Sequence, residues 1–467
     1  MRYAILMFCF LLTTVSFSAS DTGYEIEVKI NNLSNQEIFL GHHFGGKLYV
    51  SDTTMLNTEG YGVFEDNEAL NPGLYLIFLP SKKYFDIIVD ENQSFYIEND
   101  TTDFVKNIKI KNSPQNTEFY EYQKFLMQKQ NQAKELNALK DQYSKAGNQG
   151  KLNETQEKYA EIDKEVNQRI NKVINDNQGK FIATLMKLSK EVKIPDPPKD
   201  SQGNITDSTF QYRYFKNHYL DNVEFQDERI LRTPFYERKL KSYISALPQI
   251  PDTLRPIVDN LIDKTRGNDE VFRFTVSYLF NYFINSKIMG MDAMYAHIGE
   301  KYYLSGEADW ADEEFISKLR ERISKIKPNL IGNKAPELKL MNNYGEFVSL
   351  HEINAKYTVV VFWEPNCGHC GKAVPKLYDI YQKYSENGLD VFAVYTQNKK
   401  EEWDEFIQEK EIYEWHNVYD PYFQSDFRNK YDIYSTPTVY LLNQNKEIIA
   451  KRLSVEDIEK YLESELN

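Results

Sequence analysis

From Tyr24 to Ile30 apolar and polar residues alternate, which predicts a strand with one buried face. Similar short runs recur at Glu37–Leu40, Lys47–Val50, Gly62–Phe64, Gly73–Leu79, Tyr84–Val89, Ser94–Ile97 and Val105–Ile110. Turn residues such as Asn71-Pro72-Gly73 and Glu91-Asn92 separate them. Short strands punctuated this way predict an all-β sandwich of about a hundred residues. His42-His43 has no acidic or cysteine ligands clustered with it and reads as a surface loop rather than a metal site.

At Pro114 the period changes. Phe119, Tyr122, Phe125, Leu126, Leu136 and Leu139 recur at helical spacing among Lys, Glu and Gln. Ala146-Gly147-Asn148-Gln149-Gly150 breaks the run, and a second polar helix follows from Asn153 to Asn175. The pair predicts an αα-hairpin with solvated charged faces. Ile194–Gly203 is a loop by composition. Aromatic-rich helices follow, beginning at Tyr212 and then at Phe235–Leu247, Asp252–Thr265, Asn268–Ile288, Ala293–Tyr303 and Glu313–Ile326. Their aromatic stripes are expected to form core, since a helix face in an α domain must bury something.

After Lys327-Pro328-Asn329 strands and helices alternate, which predicts an α/β fold with a mixed sheet. Its strands are expected at Glu337–Leu340, Phe347–Leu350, Thr358–Trp363, Leu389–Thr396, His416–Tyr419, Thr438–Leu442 and Glu447–Arg452. Its helices are expected at Cys370–Ser385, Lys400–Lys410, Phe423–Lys430 and Val455–Glu465. The predicted division is residues 1–20 leader, 21–112 β-sandwich, 113–328 helical domain and 329–467 α/β domain, with no internal repeat.

Composition narrows this picture. At 467 residues the chain is too long for one core. Its 34 Tyr and 28 Phe exclude wholesale disorder. The net charge of −14 disfavours nucleic acid as a partner. Residues 1–20 stand apart: Arg2 is the only charge, Tyr3–Val15 is apolar, and Ser16–Ser20 is small and cleavage-like. This is the pattern of a secretory signal peptide, cut after Ser18 or Ser20, and it predicts export to the periplasm. An uncleaved membrane anchor is the alternative, though the run is short for a span. Of the 3 cysteines, Cys9 leaves with the leader, so the mature chain keeps Cys367 and Cys370. A disulfide closing so small a loop gains little entropy. The pair is therefore expected to serve chemistry rather than stapling.

The strand Val359–Trp363 runs into Glu364-Pro365-Asn366-Cys367-Gly368-His369-Cys370 and then a helix containing Pro375. Strand, turn, Cys-x-x-Cys and helix is the layout of a thioredoxin-like redox site. The stretch resembles the thioredoxin superfamily, and within it the secreted TlpA- and ResA-type thiol:disulfide oxidoreductases. Ile331–Pro336 resembles the entry sequence of the TlpA and peroxiredoxin branches. The first two segments resemble domains of unknown function placed ahead of thioredoxin-like domains in Bacteroides-type secreted proteins. In the helical one, the motif-like stretch is Asp227–Phe235.

A cysteine at a helix N-terminus is favoured as thiolate, so Cys367 is the expected nucleophile and Cys370 the resolving thiol. Their reversible disulfide is the redox centre; no cofactor and no metal is expected. His369 is expected to lower the Cys367 pKa and make the site more oxidising. That places its potential nearer the isomerase value of about −180 mV than thioredoxin's value of about −270 mV. By resemblance, Ser435-Thr436-Pro437-Thr438 supplies a cis-proline, with Pro437 packed beside the disulfide and the Thr436 backbone pairing with an extended substrate strand. Trp363, Gly368 and His369 are expected as modulating or substrate-binding neighbours.

The sequence departs from the family at the proton acceptors. Val361 and Ala373 stand where related chains carry acids, and Asn366 replaces the usual aromatic. Glu364 or water is left as the base for Cys370. A zinc site would need about four ligands, and a c-type haem needs His where Gly371 stands. A peroxidatic Thr-x-x-Cys would need Thr where Glu364 stands. The expected function is an exported thiol:disulfide oxidoreductase, reductase or isomerase, that maintains redox homeostasis. Its partners would be protein thiols and disulfides of the envelope, with a membrane thiol reductant to recycle it and a homodimer formed through the αα-hairpin. The rival reading is a binding or scaffold protein for which the redox unit is only a switch.

Overall fold

The computed structural model describes residues 23–466. The leader expected at 1–20, with Cys9, lies outside them. The chain divides into two compact units, residues up to Ile244 and residues from Ser245 onward.

The first unit opens with β1 (Tyr24–Asn31), β2 (Glu37–Phe44), β3 (Lys47–Met55), β4 (Tyr61–Asp66), β5 (Gly73–Phe78), β6 (Tyr84–Val89), β7 (Ser94–Asp100) and β8 (Lys109–Lys111). They form two four-stranded sheets, ordered β4-β1-β7-β8 and β3-β2-β5-β6. Alternation places Ile26, Val28 and Ile30 of β1 in the core with Ile38, Leu40 and Ile77 from the other sheet. β2 runs past its expected end at Leu40 through a bulge at Leu40/Gly41. His42 and His43 therefore lie on a strand, not in a loop. His42 Nδ1 is 2.7 Å from Ser51 Oγ, and its ring stacks on Tyr49. The strand expected from Val105 begins only at Lys109. The Asp103 carboxylate accepts from the Val105 and Lys106 N–H groups and holds that stretch as a turn.

α1 (Pro114–Lys145) and α2 (Gln149–Asp176) make the αα-hairpin, with Gly147 at φ 65° in the turn. Asn148 caps α2 by accepting from the Lys151 N–H at 3.2 Å, so the break is shorter than 146–150. α3 (Phe181–Ser189) was not visible as a helix in the sequence pattern. Most of its residues are buried, so it carries no amphipathic stripe. α4 (Phe210–His218) and α5 (Phe235–Ala246) follow. The buried Asp90 carboxylate accepts from Gln115 and the Phe181 N–H and pairs with Arg229, which also binds Asp227. That network gives the Asp227–Phe235 stretch a structural role.

The second unit holds α6 (Pro251–Asp263), α7 (Asp269–Ile284), α8 (Asp292–Ile298) and α9 (Glu313–Ile326). It continues with β9 (Lys339–Asn342), β10 (Phe347–Ser349), β11 (Tyr357–Trp363), α10 (Cys370–Tyr384), β12 (Leu389–Tyr395), α11 (Lys400–Lys410), β13 (His416–Tyr419), α12 (Phe427–Lys430), β14 (Thr438–Asn443), β15 (Ile448–Lys451) and α13 (Val455–Leu466). The helices between 113 and 328 are thus shared between the two units. The seven-stranded sheet is ordered β10-β9-β13-β12-β11-β14-β15. β11 lies inside it, parallel to β12 and antiparallel to β14, and is buried along its whole length. α12 starts later than expected because Phe423 and Asp426 have positive φ. Among the described residues, no helix is long and apolar enough to cross a membrane.

Candidate functional site

The buried run of β11 fixes where the chain leaves the sheet. Trp363 is its last residue, and seven residues later Cys370 opens α10. Between them Cys367 turns back onto the helix start, where α10 has main-chain N–H groups free of intrahelical partners. The Cys370 N–H donates to Cys367 Sγ at 3.2 Å, and the Gly371 N–H donates to the Cys367 carbonyl at 3.0 Å. Cys367 Sγ in turn donates to the Thr436 carbonyl at 3.2 Å. Both cysteines are thiols in this structure.

The two sulfurs have opposite surroundings. Cys370 is fully buried, and burial, aided by its bond to Cys367, pushes its pKa up to about 12. Partial burial also works against a thiolate at Cys367. Hydrogen bonds from Cys370 and the His369 backbone outweigh it and bring the pKa below its usual value.

Thr436 reaches the site through sheet register. β14 pairs Thr438 with Phe362 and Val439 with Val361, which places the preceding Thr436-Pro437 beside the end of β11. The Thr436–Pro437 peptide is cis. Glu364, the acid nearest the cysteines in sequence, ties this loop in place. Its carboxylate accepts from Thr436 Oγ1 at 3.0 Å, from Gln397 Nε2 at 2.6 Å and from Thr396 Oγ1 at 3.4 Å. Among the described residues the carboxylate makes no hydrogen bond with the Cys370 thiol; of Glu364, only the backbone acts on that thiol. Arg428 Nη2 donates to the Thr396 carbonyl at 2.8 Å, and Asn366 Nδ2 to Glu402 at 2.8 Å.

The remaining expected neighbours divide by exposure. Trp363 is fully buried in the same apolar cluster as Cys370, its ring 4.7 Å from Phe406, and has no surface to offer a substrate. His369 is exposed, so its ring stands in solvent while its backbone serves Cys367. Gly368 is exposed and has open space where a Cβ would sit, so a close approach to Cys367 is unobstructed there. Val361 is buried in β11 and Ala373 lies in the first turn of α10. A groove of about 540 Å³ runs from His369, Thr436 and Pro437 past Lys372 and Arg452 to Val455. Gln397, Thr396, Arg428 and Arg452 lie far from the cysteine motif in sequence, and no local spacing announces them. Among the described residues, no cluster of three or more His, Cys, Asp or Glu could hold a metal.

Residues 331–451 match the model of the AhpC/TSA family, and residues 151–326 match a domain of unknown function, DUF5106. The thiol-disulfide oxidoreductase ResA of Geobacillus kaustophilus is 28% identical over 137 residues, covering 29% of this chain and 77% of that protein. ResA of Oceanobacillus iheyensis is 27% identical over 140 residues, 28% of this chain and 71% of its own length. A domain of a possible thiol-disulfide isomerase from Cytophaga hutchinsonii is 43% identical, covering 29% of this chain and 92% of that one, with a TM-score of 0.28. A thioredoxin-like protein from Bacteroides caccae covers 59% of this chain and 99% of its own at 24% identity, with a TM-score of 0.46.

Proposed function

We propose that this chain, whose C-terminal part is a thioredoxin-like domain of the ResA/TlpA-like thiol-disulfide oxidoreductases, reduces or isomerises disulfides of exported proteins through Cys367 and Cys370. The observation that carries the reading is the split between the two thiols. One is partly exposed, with a pKa below its usual value, and the other is buried, with a pKa of about 12.

The Cys367 thiolate attacks one sulfur of a substrate disulfide. The substrate S–S bond breaks, a mixed disulfide forms, and the released sulfur takes up a proton. Cys370 then loses its proton and attacks Cys367 Sγ, expelling the second substrate sulfur. The substrate has gained two electrons and two protons, and the enzyme holds a Cys367–Cys370 disulfide. A thiol reductant of the envelope returns it to the dithiol. In isomerisation a second substrate thiol, rather than Cys370, resolves the mixed disulfide. Water is the simplest proton acceptor for Cys370, because the Glu364 oxygens are engaged by Thr436, Gln397 and Thr396. Export to the periplasm is supported by the leader-like pattern of residues 1–20.

The test uses two variants of the full chain. Cys367→Ser abolishes insulin disulfide reduction. Cys370→Ser accumulates mixed disulfides that release substrate on addition of dithiothreitol. Reduction that persists in Cys367→Ser would overturn the reading.

A further inference from the structure

The segment leading to Thr436 is held from outside the thioredoxin-like domain. Asp432 lies four residues before Thr436, at φ 53°, with its side chain almost fully buried. Its carboxylate is shared by two arginines. Arg452, just after β15, donates from Nη2 to Oδ2 at 2.6 Å and to the Asp432 carbonyl at 3.1 Å. Arg322, on α9 and so before residues 331–451 matched by the AhpC/TSA family begin, donates from Nη1 to Oδ1. The same Arg322 Nη1 also donates to the Tyr434 hydroxyl at 2.9 Å, and the guanidinium lies over the Tyr434 ring at 5.0 Å. Tyr434 is otherwise exposed, at 66%.

One helical side chain thus grips two alternate residues of the five-residue path from Asp432 to Thr436. The inner end of that path is also fastened from within the α/β fold. Tyr440 donates its hydroxyl to the Tyr431 carbonyl at 2.6 Å, and the Ile433 N–H donates to the Arg428 carbonyl at 2.9 Å. The outer end meets Glu364 and Cys367. Tyr434, in the middle, is held by Arg322.

We propose that Arg322 is a positioning residue for polypeptide substrates. It fixes the Asp432–Thr436 strap so that the Thr436 backbone is presented to an extended substrate segment beside Cys367. This rests on the oxidoreductase reading above. A substrate that needs only the sulfur of Cys367 is indifferent to the strap, whereas one that lies along it is not. The helical segment is then part of substrate recognition, and the preferred substrates are disulfides within extended polypeptide rather than small-molecule disulfides.

The experiment compares Arg322→Gln and Arg322→Lys with Lys318→Gln, an exposed ion-pair control on the same helix. Each full-length variant is assayed with insulin and with hydroxyethyl disulfide. Arg322→Gln is expected to raise KM for insulin roughly three- to tenfold, the size of one coupled contact, with kcat and the small-disulfide rate unchanged. Arg322→Lys recovers part of the loss and Lys318→Gln shows none. An unchanged insulin KM in Arg322→Gln would overturn the proposal, as would an equal fall in both substrates' rates, which marks general loosening of the site. Activity with either substrate surviving Cys367→Ser would instead overturn the oxidoreductase reading.

Discussion

Cys370 leads helix α10, yet its thiol is the less acidic of the two. A helix N-terminus favours a thiolate by a modest amount, and the favour goes to the sulfur its N–H groups point at. The Cys370 N–H points at Cys367, while the Cys370 sulfur sits in apolar core, where burial dominates. The consequence can be read by alkylation. A thiol reacts as its anion, so a lowered pKa extends Cys367 reactivity to lower pH, and a raised one removes Cys370 from reaction. Iodoacetamide at neutral pH is expected to label Cys367 alone in the reduced protein, with Cys370 labelling only as the pH approaches about 12. Peptide mass spectrometry at stepped pH checks this, and equal labelling of both at neutral pH contradicts it. The cysteines were legible because their chemistry is written at fixed local spacing, and Pro437 because Ser435-Thr436-Pro437-Thr438 resembles the family's cis-proline segment. Glu364 was legible as a residue but not as a clamp, because its partners Thr396, Gln397 and Thr436 reach it only through strand pairing.

At the scale of elements, the period of apolar residues located the strands, the hairpin and the α/β alternation. It failed where burial is all-round, as in α3, and where a side chain captures the backbone, as Asp103 does. Asn116 at the start of α1 is such a capture put to structural use. β6 is an edge strand, and its outer N–H and C=O groups need partners. Asn116 supplies both: its Oδ1 accepts from the Ile88 N–H at 2.7 Å and its Nδ2 donates to the Ile88 carbonyl at 2.7 Å. The amide is fully buried and acts as a surrogate strand that joins helix to sandwich. Asn116→Ala leaves a buried donor and acceptor unpaired and is expected to destabilise the first unit by about 2–4 kcal/mol. Urea unfolding followed by far-UV circular dichroism measures it. A loss near zero would mean that β6 does not depend on this pairing.

At the scale of the molecule, the helical sequence does not form one domain with one allegiance. α6 to α9 belong to the same compact unit as the thioredoxin-like fold, and sequence could not show this because the joining contacts span long separations. Lys451 at the end of β15 makes one of them. Its side chain is 8% exposed, pairs with Asp292 at the start of α8, and donates to the Asn329 carbonyl at 2.7 Å. Burial lowers the Lys451 pKa from 10.5, and Asp292 opposes that. Asp292→Ala removes the opposition and leaves a buried charge without its counterion, at a cost of roughly 2–4 kcal/mol. The pH dependence has a definite sign. A lysine whose folded pKa lies below its unfolded value binds fewer protons folded than unfolded, so stability rises with pH in the window between them. In Asp292→Ala the folded pKa falls further, so the loss is largest at neutral pH and shrinks as pH rises towards 10.5. All 4 tryptophans, Trp310, Trp363, Trp403 and Trp415, lie in this unit, so fluorescence excited selectively at tryptophan follows its unfolding alone. Equal losses at neutral and alkaline pH would show that the pair acts through packing rather than charge. A second, earlier fluorescence transition from Trp310 would show that the helices and the redox domain unfold separately.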